Sequence, residues 1–261
     1  MTISKNGSPI SSLEDWKRLA PPKAEHQWTD GRSAKEVART WLAAGAGKLP
    51  AEVTSALGGH PDFADVLTWS AEPEAKLKFD TFAGEPRNTD LAVYARDSLG
   101  DFLVAIEAKA DEPFAETVSE TLAAALERKL ENPRSNGIAR VEQLATALLG
   151  PRQAREPSTG ELRYQLLTAC AGALCEAERR GLSRAVVMVQ EFVTAKTTDE
   201  KHLRNAADLI QFLRRLSHDP QAPLPTSTLA GPFAVPGAPL LRSRVRLYVG
   251  KVTHYLRTSG A

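Results

Sequence analysis

Two apolar runs separated by a turn signal make residues 88–114 the most informative part of the chain. The turn residues, Asp-Ser-Leu-Gly at 97–100, predict a tight β-hairpin between the two runs. Folding the hairpin about the middle of this turn sets Asp90 opposite Glu107. Because side chains alternate along a strand, Lys109 lies on the same face as Glu107. Both faces are otherwise apolar, which predicts a sheet that is covered on both sides.

Elsewhere the apolar positions follow mostly helical spacing, interrupted by a few β-type runs. The predicted helices cover residues 13–19, 33–44, 50–57, 114–130, 138–149, 161–180 and 199–216. The predicted strands outside the hairpin cover residues 77–82, 184–194 and 245–256. Residues 219–240 are rich in Pro and Gly and are predicted to form a surface loop. This order predicts an α/β fold with a mixed central sheet flanked by helices.

Composition narrows the class of protein. The 261 residues are 42% hydrophobic and 25% charged, as in a soluble globular protein with one large domain or a core with additions. The net charge of +1 gives no overall basic character, so a nucleic-acid-binding surface would have to be a local patch. No apolar run approaches membrane-spanning length, and the N-terminus lacks a signal-peptide core. The sequence therefore predicts a cytoplasmic protein.

The two cysteines, Cys170 and Cys175, lie five residues apart in a predicted helix. Side chains at this spacing are not well stacked on one helix face, so a disulfide or a zinc site is not indicated. We expect both to be small core hydrophobes of an intracellular protein.

The residues that carry chemistry are Asp90, Glu107 and Lys109. Two carboxylates and an ammonium group at the end of a covered hairpin are costly to bury unless a cation or hydrogen bonds compensate them. A Mg²⁺ ion takes one or two carboxylates and keeps several waters, which suits such a pair. Lys109 could then orient or deprotonate a metal-bound water during phosphodiester hydrolysis. A strand-end salt bridge between Lys109 and the two acids explains the same residues, and both interpretations stay open.

The segments at 88–114 and 163–169, together with the apolar run that follows them, resemble the PD-(D/E)XK nuclease superfamily, and within it a set of poorly characterised bacterial proteins. The resemblance spans roughly residues 33–194. It implies a restriction-endonuclease-like core of αβββαβ order, which agrees with the predicted elements. The chain then divides into an N-terminal extension, the nuclease-like core, and a C-terminal helix, loop and closing strand packed on the same domain, at residues 1–32, 33–197 and 198–261.

The resemblance implies a role for each residue that matches the family motif. Asp90 and Glu107 would be metal ligands, and the Ala108 carbonyl would be a further one. Lys109 would be the catalytic lysine. Gln165 resembles the helix glutamine that some members use near the active site. The implied cofactor is Mg²⁺, or Mn²⁺ in its place.

The family also places an acid on its first helix, and Glu36 is the candidate for this metal ligand. Ser33 and Glu36 fit an S-x-x-E capping box equally well. Glu72 and Glu74, which precede the hairpin, compete for the same role. The identity of the third acid stays open.

Two basic features could contact nucleic acid. Arg163 and Tyr164 adjoin Gln165 and could contact phosphate, although packing and a salt bridge explain them as well. A second feature is a stripe of basic residues with interleaved tyrosines near the C-terminus, which could follow a nucleic-acid backbone, although a solvated strand face is the favoured explanation. The stripe consists of Arg242, Arg244, Arg246, Lys251, Tyr248 and Tyr255.

The sequence thus predicts a Mg²⁺-dependent nuclease that cuts phosphodiester bonds of DNA, with Asp90 and Glu107 on the metal and Lys109 on the water. The alternative is a catalytically silent member of the superfamily that serves as a nucleic-acid- or protein-binding module. A third hypothesis is an unrelated metal-dependent hydrolase on an α/β sheet, for which the near-neutral net charge leaves room. No membrane association is predicted, and the oligomeric state stays open, a homodimer included.

Overall fold

The computed structural model describes residues 2–45, 47–83, 87–242 and 244–256. Within these residues the strands are β1 Thr2–Lys5, β2 Ser8–Pro9, β3 Thr68–Leu77, β4 Arg87–Asp97, β5 Gly100–Lys109, β6 Arg184–Val193, β7 Thr228–Phe233 and β8 Arg246–Tyr255. The α-helices are α1 Leu13–Leu19, α2 Ser33–Ala43, α3 Ala51–Gly58, α4 Val118–Glu131, α5 Gly137–Leu149, α6 Tyr164–Arg179 and α7 Asp199–Ser217.

All eight strands belong to one sheet with the order β2-β1-β3-β4-β5-β6-β8-β7. Strands β3, β4 and β5 are antiparallel neighbours, whereas β5, β6 and β8 run parallel. Helices α1, α2 and α3 pack their apolar side chains on one face of the sheet, and α4, α5, α6 and α7 cover the other. The predicted α/β fold with a mixed sheet flanked by helices is therefore confirmed.

The predicted hairpin forms with the predicted register. Strands β4 and β5 pair from Leu91 with Ile106 to Asp97 with Gly100, and Ser98 and Leu99 form the tip. Gly100 has a φ of 119°, a conformation that glycine adopts without a Cβ penalty. Turn chemistry and apolar pairing point to one register, which explains why the sequence predicts it correctly.

The strand before the hairpin was predicted at residues 77–82 and lies at Thr68–Leu77 instead. Charged residues and a proline interrupt its alternating pattern, and the strand also changes face. Trp69 packs with α1, α2 and α3, whereas Ala75 and Leu77, which have the same parity, pack with the helices on the opposite face. The change occurs next to Glu74, whose φ of 48° lies in the left-handed region that non-glycine residues seldom adopt.

The N-terminal stretch at 1–32 contributes directly to the domain. Its β1 pairs in parallel with β3, and the Trp16 side chain of α1 is 2% exposed in the core. Residues 219–240 are not entirely loop, because they contain β7, which forms an edge of the sheet. Among the residues that the structure describes, no helix is both long and apolar enough to cross a lipid bilayer.

The predicted basic stripe near the C-terminus is wrong as a continuous surface. Strand β8 is an interior strand between β6 and β7. Tyr248 is buried in the core, and Lys251 is buried in an ion pair with Glu191 at 2.8 Å. Arg242, Arg244, Arg246 and Tyr255 are exposed, so the solvated-face explanation holds for these four residues and not for Tyr248 and Lys251.

Candidate active site

Three carboxylates stand in one row across three adjacent strands. Strands β3 and β4 pair Pro73 with Leu91 and Ala75 with Thr89. The residues between these pairs, Glu74 and Asp90, therefore lie opposite each other. The β4–β5 pairing ends one residue before Asp90, and its continuation sets Asp90 opposite Glu107. The hairpin stops pairing at this row, and the strand ends open into a cavity there.

The cavity has a volume of about 470 Å³ and brings together most of the predicted site residues. Its floor contains the acid row and the neighbouring strand positions, Glu74, Arg87, Asn88, Asp90, Glu107, Ala108 and Lys109. Its walls come from the N-terminal stretch, from α2 and from the segments after β5, through Pro22, Lys23, Gln27, Ser33, Ala34, Glu112, Pro113, Ala115 and Gln165.

Glu107 is 3% exposed and makes the ion pairs of the site. Lys109 Nζ lies 3.1 Å from Glu107 Oε1, and Gln165 Nε2 donates a hydrogen bond to the same oxygen. Arg87 Nη2 forms an ion pair with the other oxygen, Oε2. Burial alone would raise the pKa of Glu107, but the charges of Arg87 and Lys109 hold this pKa below its usual value. Glu107 is therefore ionised at neutral pH.

Asp90 has a contrasting environment. Its Oδ2 accepts a hydrogen bond from the Ala108 N–H at 2.7 Å, while the ion pairs of the described residues here go to Glu107. Burial and, next, the negative charge of Glu107 raise the pKa of Asp90 to about 8. The site therefore holds more acidic groups than its own cations neutralise.

The main chain at Ala108 faces the same space. The N–H and C=O groups of one residue in an extended strand point to the same edge of that strand. Because the Ala108 N–H bonds to Asp90, the Ala108 carbonyl faces the Asp90 side as well. This orientation suits the ligand role that the sequence resemblance implies for the carbonyl.

Of the three candidates for the third acid, Glu74 is the one that lines the cavity. Asn88 Nδ2 donates to its Oε2 at 3.3 Å, and burial raises the pKa of Glu74. Glu72 instead pairs with Lys5 at 3.0 Å. The sequence could not separate Glu72 from Glu74, because only the local distortion of β3 decides which of them faces the site.

The assignment of Glu36 as a metal ligand is wrong in this structure. Its carboxylate is paired with Arg39 Nη1 at 2.7 Å and accepts the Gly31 N–H at 2.7 Å, and it does not line the cavity. The capping box is also wrong, because α2 already begins at Ser33 and Ser33 Oγ donates to Glu112 Oε1 at 2.9 Å. Glu36 turns back towards the chain before α2, which removes it from the acid row.

Arg87 is a site residue that sequence reasoning missed. Arg87 lies three residues before Asp90 in β4, so strict alternation would place the two side chains on opposite faces of the sheet. The end of β4 departs from this alternation, because Arg87 reaches both Glu107 and Thr168 of α6. Its proximity to Asp90 in the sequence was the available signal, and the regular strand pattern argued against it.

Two further sequence features have structural roles. Arg163 precedes α6, where its Nη1 donates to the Ala115 carbonyl at 3.2 Å and its Nε lies 3.0 Å from Asp208. Both cysteines are free, and burial raises the pKa of the Cys170 and Cys175 thiols to about 12. Neither feature therefore adds a reactive or phosphate-binding group to the cavity.

The donor set limits which metal the site could hold. Among the described residues, no group of three or more His, Cys, Asp or Glu side chains is arranged to hold a metal ion. The candidate donors are therefore the Asp90 and Glu107 carboxylates and the Ala108 carbonyl, all of them oxygen atoms. This small set fits Mg²⁺ or Mn²⁺, because Mg²⁺ binds one or two carboxylates and keeps several waters.

Comparison with known proteins places the chain in a family without assigning an activity. No curated protein and no solved structure matches it. Residues 9–255 match the family described as Domain of unknown function (DUF6946). The match covers the acid row, the cavity walls and the N-terminal stretch from residue 9 onwards, and the chain therefore belongs to this family.

Proposed function

We propose that this protein is a metal-dependent nuclease that hydrolyses phosphodiester bonds, with DNA as the substrate. The observation that carries the proposal is the half-buried Asp90 carboxyl beside the buried Glu107, in a cavity that also contains Lys109 and Gln165. An excess of partly and fully buried acid at a cavity is the environment in which a divalent cation compensates charge. The elements α2, β3, β4, β5, α6 and β6 occur in the αβββαβ order of a restriction-endonuclease-like core, with α3, α4 and α5 inserted between them, and this order supports the proposal.

Each residue would have a defined task. Asp90, Glu107 and the Ala108 carbonyl would hold Mg²⁺ or Mn²⁺. Such an ion, when bound, polarises a phosphoryl oxygen and lowers the pKa of a water. Lys109, held 3.1 Å from Glu107, would orient the attacking water and neutralise developing negative charge. Gln165 would fix the Glu107 carboxylate, to which it donates a hydrogen bond.

An anionic substrate would bind here once a divalent cation has compensated the acid row. Two lysines also line the cavity, Lys23 in the N-terminal wall and Lys109 on the floor. Positive groups around a cavity attract phosphate and position it without reading its sequence. The assignment to DNA follows from the resemblance to PD-(D/E)XK nucleases. RNA is the alternative substrate, and the nuclease assay includes it for comparison.

Nuclease assays test this proposal directly. Purified protein is incubated with plasmid, linear and single-stranded DNA and with RNA, in Mg²⁺ or Mn²⁺. We expect cleavage by the wild-type protein and rates at least about a hundredfold lower for Asp90→Asn, Glu107→Gln and Lys109→Met, because each removes a ligand or the water-orienting group. Glu36→Gln is the matched control, since this acid lies outside the cavity, and it should cleave at the wild-type rate.

One observation favours a second candidate, a non-catalytic binding module. Arg87 already pairs with a Glu107 oxygen that the nuclease proposal gives to the metal. If no nucleic acid is cleaved and calorimetry detects no metal binding, the binding module is the better description. Cleavage that survives both Glu107→Gln and Lys109→Met would place the chemistry elsewhere in the protein.

A further inference from the structure

The two oxygens of the Glu107 carboxylate are shared among three side chains. Oε1 contacts Lys109 and Gln165, and the Arg87 guanidinium binds Oε2. The side chains of Arg87 and Glu107 are only 11% and 4% exposed, so water screens this pair little. A cation that binds Glu107 through Oε2 must therefore compete with Arg87.

Arg87 is anchored at its other end by α6. Its Nη1 donates to Thr168 Oγ1 at 3.1 Å. Gly172, one turn further along α6, lets the helix pack closely on β3 next to Arg87, since a Cβ at that position would lie 3.1 Å from Leu77 Cβ. The helix thus guides the guanidinium from the start of β4 towards Glu107.

The placement of Arg87 also leaves one polar group unsatisfied. Its Nε is buried and has no hydrogen-bond partner among the described residues. A buried donor without an acceptor is unfavourable, so the arrangement is held by the charge of Glu107 rather than by a complete hydrogen-bond set. The same feature makes the guanidinium replaceable by a better-satisfied cation.

We propose that Arg87 is a built-in competitor of the divalent cation for Glu107, so that metal loading requires the guanidinium to leave the carboxylate. This inference rests on the proposed function, because it concerns the same metal site. It assigns to Arg87 the role of setting metal affinity, a role distinct from those of Asp90 and Lys109. At low metal concentration the Arg87 guanidinium neutralises the Glu107 carboxylate. The divalent cation binds only at concentrations at which it displaces the guanidinium.

The test is Mn²⁺ binding to the full chain, measured by titration calorimetry and by electron paramagnetic resonance of free Mn²⁺. We expect Arg87→Met to bind Mn²⁺ at least about tenfold more tightly than the wild-type protein, since it removes the competing charge. Arg39→Met is the matched control, because Arg39 pairs with Glu36 outside the cavity, and its affinity should equal that of the wild type. Adding Glu107→Gln to Arg87→Met should abolish this increase in Mn²⁺ affinity.

A second variant keeps the test independent of how well Arg87→Met folds. Thr168→Val removes the acceptor of Arg87 Nη1 but retains the charge, and it should strengthen Mn²⁺ binding by a smaller factor. Measurable but equal affinities for the wild type, Arg87→Met and Thr168→Val overturn the competition inference and leave the proposed metal site intact. Absence of Mn²⁺ binding to all three proteins overturns both the inference and the proposed function.

Discussion

At the scale of single residues, the pKa values of two neighbouring acids in the row shift in opposite directions, that of Glu107 downwards and that of Asp90 upwards. Arg87 and Lys109 stabilise the ionised form of Glu107, whereas burial and the charge of Glu107 keep a proton on Asp90. Pairs of titratable groups whose environments separate their pKa values are typical of sites that perform acid–base or metal chemistry. The same separation makes the stability of the metal-free protein depend on pH.

The pH dependence has a defined sign. The raised pKa of Asp90, about 8 instead of 3.8, means that the folded protein retains a proton that the unfolded chain has already lost. Asp90 therefore lowers the free energy of unfolding as pH rises between these two values. Asp90→Asn removes this contribution, so the stability of the variant relative to wild type should increase across the window. Urea denaturation in EDTA at several pH values measures the difference, and parallel profiles would contradict the assignment.

Hairpin register alone identified Asp90, Glu107 and Lys109 as one group, and the structure places all three in the cavity. The register could not identify Glu74 or Arg87, because the positions of both side chains depend on local departures from regular alternation along β3 and β4. Glu36 was misassigned for a related reason. The sequence gives its position on α2 but not the direction in which its side chain turns.

At the scale of secondary-structure elements, a buried ion pair ties the hairpin turn to the sheet. Arg184, the first residue of β6, bonds both oxygens of Asp97 at 2.7 and 2.8 Å, and both side chains are 0% exposed. The guanidinium also donates to the Gly100 carbonyl at 2.7 Å. This arrangement fixes β5 beside β6 at the end of the sheet opposite the acid row.

Removing one partner of this pair should be strongly destabilising. Arg184→Met leaves Asp97 buried without its cation, which costs about 3–5 kcal/mol in the free energy of unfolding. Arg96→Met is the control, because Arg96 pairs with Asp101 on the surface and such pairs contribute about 0–1 kcal/mol. Chemical denaturation compares the two variants, and equal losses would show that the buried pair does not fix the hairpin.

Most elements could be predicted from periodicity, and the failures have a physical cause. Strand β3 was misplaced because Glu72, Pro73 and Glu74 break its alternation, and its apolar residues then change face. Strand β7 was missed because its Gly and Pro residues resemble a loop. In both cases strand pairing with a neighbour decides the structure, and pairing is not visible in a local pattern.

At the scale of the whole molecule, the N-terminal stretch forms part of both the core and the cavity wall. Ile3, Ile10 and Trp16 are buried in the layer that covers the sheet on the side of α1 to α3. Pro22 and Lys23 then line the cavity. An interpretation of residues 1–32 as a mere extension would therefore miss their contribution to the site.

The core contribution of this stretch can be measured with one substitution. Trp16 is 2% exposed, so Trp16→Ala should lower the free energy of unfolding by about 3–5 kcal/mol through lost burial and the cavity that remains. Leu203→Ala is the control, because Leu203 is 66% exposed and should change stability by less than about 0.5 kcal/mol. Thermal and urea unfolding provide the comparison, and a loss for Trp16→Ala no larger than the control would show that the stretch is peripheral.

The strand order has a consequence for the sequence of folding events. The contact that sets Asp90 opposite Glu107 belongs to a hairpin with a two-residue tip, and such local contacts form within microseconds. The walls of the cavity depend on partners that are distant in the sequence, since Ser33 must reach Glu112 and Ala115 must reach Gln165. The hairpin therefore brings Asp90 and Glu107 together in a fast, local step, and the slower long-range contacts enclose them.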